Sequence, residues 1–153
     1  MRNAEREIKD REEILSIIKE AQVCRVAFAA GNIPYIVPMN FGYKDNCLYF
    51  HSATEGKKLD YIRQNNKVCF ELDINDEIVK ATDRVCSWTT KYRSVIGFGK
   101  AYIIENWRKK SSALDIITQH YGANPHDFSE KDVERLSIIK IEISSMTGKK
   151  EGY

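Results

Sequence analysis

The sequence predicts a mainly β domain: a mostly antiparallel sheet, closed or nearly closed, with helices packed outside it. Three observations lead there. The β-like runs come clustered, at 23–51 and again at 67–73, 94–105 and 137–144. The early ones are separated by hairpin-type turns, Gly31-Asn32 and Lys44-Asp45-Asn46. Helical patterns fall only at the start, the middle and the late part of the chain, unlike the regular alternation of a parallel α/β sheet.

The elements follow in order. Asp10 can cap a helix over 10–21, with Ile14, Ile17, Ile18 and Ala21 on one stripe. Val23 to Ala30 is a strand, and Ile33 to Tyr43 a second β stretch interrupted at Pro38. Pro34 and Pro38 mark an edge, a bulge or a close approach to the backbone. Cys47 to His51 completes a hairpin, with Tyr43 and Tyr49 flanking its turn as surface or barrel aromatics. A helix covers 55–65, with Thr54 as a plausible cap. The strand over 67–73 puts Val68, Phe70 and Leu72 on one face. Residues 74–93 are mixed and polar, with strand content around Ile78 and Val85 and a loop from Ser87 to Lys91. A long strand over 94–105 carries Gly97 and Gly99, which suggest a bend or a close backbone contact. The helix over 107–121 has Trp107, Lys110, Leu114, Ile117 and Tyr121 on one stripe, and Gly122 ends it. Ser129-x-x-Asp132 caps a short helix. The last strand alternates Ile139, Ile141 and Ile143, and MTGKKEGY reads as a polar tail.

Composition narrows the function classes. The 153 residues predict one domain over 1–153, and 42% hydrophobic with 30% charged residues is an ordinary globular balance. A net charge of +2 gives no global basic field, so nucleic acid is not an expected partner, and Arg108-Lys109-Lys110 reads as a solvated helix face. The longest apolar run, Val26 to Ala30, is far short of the roughly 20 residues that span a bilayer. The N-terminal stretch is charged from the start. The expectation is a cytoplasmic protein with no membrane partner. Cys24, Cys47, Cys69 and Cys86 form no CxxC pair, and reduced, mostly buried thiols are expected. His120 and His126 lack a third metal ligand, so no metal is expected.

One stretch runs against helix physics. HSATEGKKLD ends a strand and opens a helix whose first turn holds Lys57 and Lys58. A helix start carries partial positive charge and unpaired N–H groups, and lysines are disfavoured there. A bound anion would reverse the sign of that effect. Gly56 lets the chain approach it, the lysines neutralise it, and Ser52 and Thr54 add hydroxyl donors; a phosphate fits. A solvated lysine pair on an exposed helix end is the other reading. Neither the dinucleotide nor the mononucleotide glycine motif is present.

The run YIVPMNFGY, a short turn, LYFHSA and EGKKL resembles the flavin-binding half of the pyridoxamine 5′-phosphate oxidase-like split barrels. It is most similar to the branch holding the 5-nitroimidazole-resistance (Nim) proteins. CSWTTKYRSVIGFGK over 86–100 and MTGK over 146–149 continue the resemblance, which spans roughly residues 5–150. It implies a six-stranded antiparallel split barrel, a homodimer, and flavin mononucleotide (FMN) at the subunit interface. Val37, Pro38, Met39 and Asn40 would present backbone groups to the isoalloxazine ring. Ser52, Thr54, Gly56, Lys57 and Lys58 would hold the phosphate. Trp88, Arg93 and Ser94 would reach the flavin of the other subunit, although Trp88 could equally pack in the core or the dimer. His51 would lie near the flavin. It is the candidate catalytic residue, because histidine titrates near neutrality and could orient or protonate a substrate.

The implied activity is an FMN-dependent oxidoreductase, nitroreductase-like. It would take electrons from a reduced nicotinamide or a redox protein and pass them to a small organic acceptor such as a nitroimidazole. Two alternatives stand beside it. A flavin- or haem-binding module without turnover is one. Pyridoxamine phosphate oxidation is the other, and the Arg-x-His pattern that resemblance to true oxidases would place near the end is missing from MTGKKEGY.

Overall fold

Two prolines fix one edge of the sheet. In the computed structural model, which describes residues 4–82 and 84–153, β3 (Ile33–Met39) pairs only with β2 (Cys24–Ala30), setting Pro34 opposite Ala29 and Pro38 opposite Arg25. Proline cannot donate to a ladder, so an edge strand is where both are tolerated. The first three residues of the charged N-terminal stretch, and Asp83 within the mixed segment, lie outside the described residues.

All strand pairs are antiparallel, and the path runs β3-β2-β6-β7-β8-β5-β4. Here β4 is Gly42–Lys44, β5 Cys47–Ser52, β6 Lys67–Val79, β7 Thr89–Ile104 and β8 Ser137–Glu151. A two-residue strand, β1 (Glu7–Ile8), adds to β8. The terminal strands of the path, β3 and β4, are consecutive in the chain and separated only by Asn40 and Phe41. Chain continuity, not a ladder, therefore brings the two edges together, and the sheet is a split barrel. Six long strands form it, as expected; the short β1 and β4 raise the count to eight.

Alternate residues fill the interior: Val26 and Phe28, Leu48 and Phe50, Phe70 and Leu72, Ile139 and Ile141 are all buried. The glycines of β7 do what the sequence suggested. A Cβ on Gly97 would lie 2.2 Å from Cζ of the buried Phe70. One on Gly99 would lie 2.4 Å from the Glu142 carbonyl oxygen, at the register shift after Phe98.

Several boundaries are corrected. β6 continues past residue 73 because Asn75, at φ 56°, absorbs an irregularity between Ile74 and Glu77. The expected loop through Lys91 is mostly strand, and Val85 lies in a 3₁₀ turn (Val85–Ser87). The polar tail is strand too, pairing Lys149 with Ser94 and Glu151 with Tyr92. Its charges are met locally: Lys150 bonds Glu13 at 2.8 Å, Glu151 pairs with Arg6, and the Lys149 ammonium sits over the Tyr92 ring.

Among the described residues four α-helices pack outside the barrel. α1 (Arg11–Glu20) is capped by Asp10, which accepts from Glu12 N, and buries Ile14, Ile17 and Ile18. α2 (Lys57–Gln64) starts two residues later than expected, on Gly56 and not on Thr54. α3 (Trp107–His120) is capped by Asn106 and buries Ser111, Ala113 and Ile117, so the stripe predicted through Trp107 and Tyr121 only grazes the core. α4 (Glu130–Val133) carries the expected Ser129/Asp132 capping box. α3 lies against β4 at Gly42, where a Cβ would come within 2.6 Å of the Ile116 carbonyl oxygen.

Candidate functional site

β3 links the start of α2, which it meets at Tyr35, to the end of β5, which the residue after it, Asn40, approaches. Tyr35 on β3 lies 5.6 Å from Tyr61 of α2, ring to ring, and the Lys57 ammonium sits over both rings at 4.7 and 5.5 Å. Gly56 opens the helix at φ 130°, ψ 164°, a conformation that is glycine's preserve, with no atom near its missing Cβ. It is therefore kept for backbone shape and not for packing.

This helix start differs from the others in its chemistry. The first intrahelical bonds run from Leu59 N (2.9 Å) and Asp60 N (3.3 Å) to Gly56 O, and no side chain caps the end. Among the described residues the N–H groups of Lys57 and Lys58 have no acceptor. Four residues before Gly56, Ser52 is buried opposite Ser137, and among the described residues its Oγ has no hydrogen-bond partner. A buried hydroxyl without a partner costs about 1–3 kcal/mol. Thr54 lies in an exposed bend. Free helix N–H groups, a partnerless buried hydroxyl and two cations suit a phosphate.

At the β5 end, Asn40 and His51 face a hollow of about 410 Å³ with Leu114, Ile117, Thr118, Tyr121 and Ala123. Val37 is half-buried, Pro38 exposed and Met39 buried on the edge strand that leads into it. His51 is exposed, opposite Ile138 of β8. The chain thus places Asn40, at the end of the segment with Val37, Pro38 and Met39, on one hollow with His51, and Lys57 against Tyr35 of the same strand; Ser52, Thr54, Gly56 and Lys58 follow His51 in sequence.

It does not bring Trp88, Arg93 and Ser94 to them. The end of β7 near His51 is Ile103–Ile104, paired with Ile139 and Ile138. Arg93 lies at the opposite end, on the order of 35 Å away along the strand. There it bonds Glu20 at 3.4 Å and stacks on Tyr153, while Ser94 sits between Asp73 and Lys149. Trp88 donates from Nε1 to Ala81 O at 3.2 Å and carries Lys80 over its ring.

The outer face of the sheet is apolar in one row. Ile36, Ala27, Cys69 and Phe98 stand side by side on β3, β2, β6 and β7, and Ile36 and Phe98 are 61% and 57% exposed. The next row sets Arg25 against Glu71 (3.1 Å) and Asp73. Burial, and then the Asp73 charge, push the Glu71 carboxyl above its ordinary range despite Arg25.

Other candidates are accounted for locally. His120 donates from Nε2 to Ala21 O at 2.8 Å and packs on Phe41; His126 packs edge-on against Phe128. Among the described residues no cluster of three or more His, Cys, Asp or Glu is placed to hold a metal. Cys24 and Cys47 are buried, Cys69 is half-buried and Cys86 is exposed, so the expectation of burial fails at Cys86. Burial pushes the Cys24 thiol far up, which excludes it as a nucleophile. A hollow of about 870 Å³ lies on the far side of α3, between Lys19, Asp115, His126 and Asp127. Its acids are engaged: Asp115 accepts from His126 N at 2.8 Å and Gln119 Nε2 at 2.6 Å. The residues that the sequence did not mark are those that α3 and its C-cap contribute to the hollow beside His51, namely Leu114, Ile117, Thr118 and Tyr121. Nothing local marked them as site residues, because Asn40 and His51 stand 63 to 81 positions earlier.

The fold and this arrangement define a split barrel of the flavin-binding kind. The chain matches the pyridoxamine 5′-phosphate oxidase family over residues 10–150, and it belongs to that family. A crystal structure from Bacteroides thetaiotaomicron of a protein named for 5-nitroimidazole antibiotic resistance superposes at TM-score 0.82 with 36% identity, covering 94% of this chain and 85% of that one. The FAD and haem binding protein of Mycobacterium smegmatis superposes at 0.84 with 19% identity, over 97% of this chain and 74% of that one. The flavocytochrome Anf3 of Azotobacter vinelandii gives 0.80 with 18% identity, over 96% and 70%. These two likenesses speak to fold. An uncharacterised protein of Rhizobium meliloti (strain 1021) is 32% identical over 65 residues, and the match spans 42% of either chain. No helix among the described residues is long and apolar enough to cross a membrane.

Proposed function

We propose that this protein is an FMN-dependent oxidoreductase of the Nim-like branch that acts as a homodimer in the cytoplasm and reduces a small organic acceptor. The observation that carries the reading is the buried, partnerless Ser52 hydroxyl beside an uncapped helix start bearing Lys57 and Lys58. FMN, when bound, supplies the electron transfer chemistry. The chain supplies the rest. Lys57 and Lys58 neutralise the phosphate, and the Ser52 and Thr54 hydroxyls and the helix N–H groups donate to it. The edge strand from Val37 to Asn40 would hold the ring. His51 stands at the hollow where an acceptor would meet the ring, and it orients or protonates that acceptor.

A second copy completes the site. Trp88, Arg93 and Ser94 serve the flavin only if they come from another subunit, because they lie at the far end of the barrel in their own chain. The exposed row from Ile36 to Phe98 gives that copy an apolar face to cover. A nitroimidazole is the acceptor class favoured by the 36% identical relative, and a reduced nicotinamide or a redox protein would be the donor.

The test begins with the absorption spectrum of the purified protein, which separates flavin from haem. Anaerobic bleaching by reduced nicotinamide, followed by re-oxidation with a nitroimidazole, is expected of an enzyme; a flavin that no donor bleaches would mark a binding module. Lys57→Ala with Lys58→Ala should weaken FMN binding by roughly a hundredfold while the dimer survives on gel filtration, as expected for two charge-assisted contacts of about 1.5 kcal/mol each. Full occupancy in that variant would remove the phosphate assignment.

A further inference from the structure

The Tyr121 hydroxyl sits where β3, β4 and the start of β2 come together, and it has three neighbours. Gln22 O lies at 2.8 Å, Phe41 N at 3.0 Å and Asn40 Nδ2 at 3.1 Å. Their chemistry allows one arrangement. A carbonyl oxygen can only accept and a backbone N–H can only donate, while a phenol has one proton and two lone pairs. The Tyr121 proton therefore goes to Gln22 O. One lone pair takes the Phe41 N–H, from a residue that is wholly buried. The remaining lone pair can face only a donor, so the Asn40 carboxamide must turn its NH₂ group inward. That group also reaches Gln22 O, at 3.4 Å, which again can only accept.

The Asn40 carbonyl oxygen is thereby left outward, without a partner among the described residues, on the hollow it shares with His51. The geometry points to Tyr121 as a positioning residue: it locks Asn40 so that the site offers an acceptor and withholds a donor, and the group accepted is the N3–H of the isoalloxazine ring. This rests on the reading that residues 37–40 face the polar edge of the ring. Oxidised isoalloxazine has one N–H, at N3, and the other polar atoms of that edge accept. A carboxamide free to rotate would satisfy either kind; a locked one selects the imide. Selectivity of this sort is strong where a buried polar group would otherwise be left unpaired.

The test compares FMN with its N3-methyl derivative, which cannot donate. Dissociation constants are measured by fluorescence for the parent, Tyr121→Phe and Asn40→Leu, the last being close in size to asparagine but without an acceptor. The parent should prefer FMN by about tenfold or more, and both variants should bring that preference below about threefold. A preference kept in Asn40→Leu would show that the methyl group is rejected by size, and a preference kept in Tyr121→Phe would show that Tyr121 does not position Asn40; either overturns the inference. Loss of the Phe41 contact could unfold Tyr121→Phe, so the lock is also read in the parent apoprotein. There the Asn40 side-chain amide protons should be protected from exchange with solvent, because both bond inward. Exchange as fast as that of a freely solvated asparagine would overturn the lock. A parent that binds neither nucleotide would instead overturn the flavin reading on which the inference rests.

Discussion

Replacing Ser52 by alanine should move stability and binding in opposite directions. The residue is 6% exposed, and its Oγ has no hydrogen-bond partner. Folding the apoprotein therefore strips water from a hydroxyl and returns nothing, at a cost of about 1–3 kcal/mol. Alanine removes the cost and leaves a space one oxygen atom in size. The apoprotein of Ser52→Ala should be as stable as the parent or more stable by up to about 1 kcal/mol, whereas an average point substitution destabilises by about that amount. The flavin complex should suffer. A hydrogen bond to a charged phosphate contributes about 1.5–3 kcal/mol, so FMN affinity should fall by roughly 10- to 150-fold. Urea unfolding of flavin-free protein gives the first quantity, and quenching of flavin fluorescence gives the second. A variant that is less stable by more than about 1 kcal/mol yet binds FMN unchanged would show that the hydroxyl serves the fold, and the reasoning would fail.

Two further outcomes follow from the same geometry. His51→Ala should retain flavin but change the rate at which an acceptor re-oxidises the reduced protein, followed by stopped-flow absorbance; an unchanged rate would leave His51 without a catalytic role. Gly97→Ala forces a methyl group into the Phe70 ring, 2.2 Å from Cζ, and should cost about 1–3 kcal/mol in urea unfolding. Adding Phe70→Leu should recover part of that loss, and additive losses in the double variant would show that the two positions do not share space.

The barrel was legible because its interior residues alternate. Val68, Phe70 and Leu72, and Ile139, Ile141 and Ile143, announce strands through a period of two, and Pro34 and Pro38 announce an edge through a missing donor. The tail over 146–153 was not legible, because its strand up to Glu151 buries little. Lys149 and Lys150 look solvated until Tyr92 and Glu13 are brought beside them. The same limit applied to residues 89–93. The proposed phosphate site was suggested by a local contradiction, lysines at the wrong end of a helix, which needs no tertiary information. Tyr121 gave no such sign. It reaches the hollow only because a long intervening stretch of chain returns the end of α3 to Asn40 and Phe41. The sequence also mistook the cap of α2: Thr54 has the right chemistry, but only Gly56 can take the backbone angles at that position.

The central claim is that the start of α2 holds the phosphate of a flavin nucleotide. Side-by-side titration of the apoprotein with FMN and with riboflavin, which carries the same ring and no phosphate, tests it most directly. FMN should bind at least about a hundredfold more tightly, with the advantage mostly abolished in the Lys57→Ala, Lys58→Ala double variant. Equal affinity of the parent for the two would contradict it.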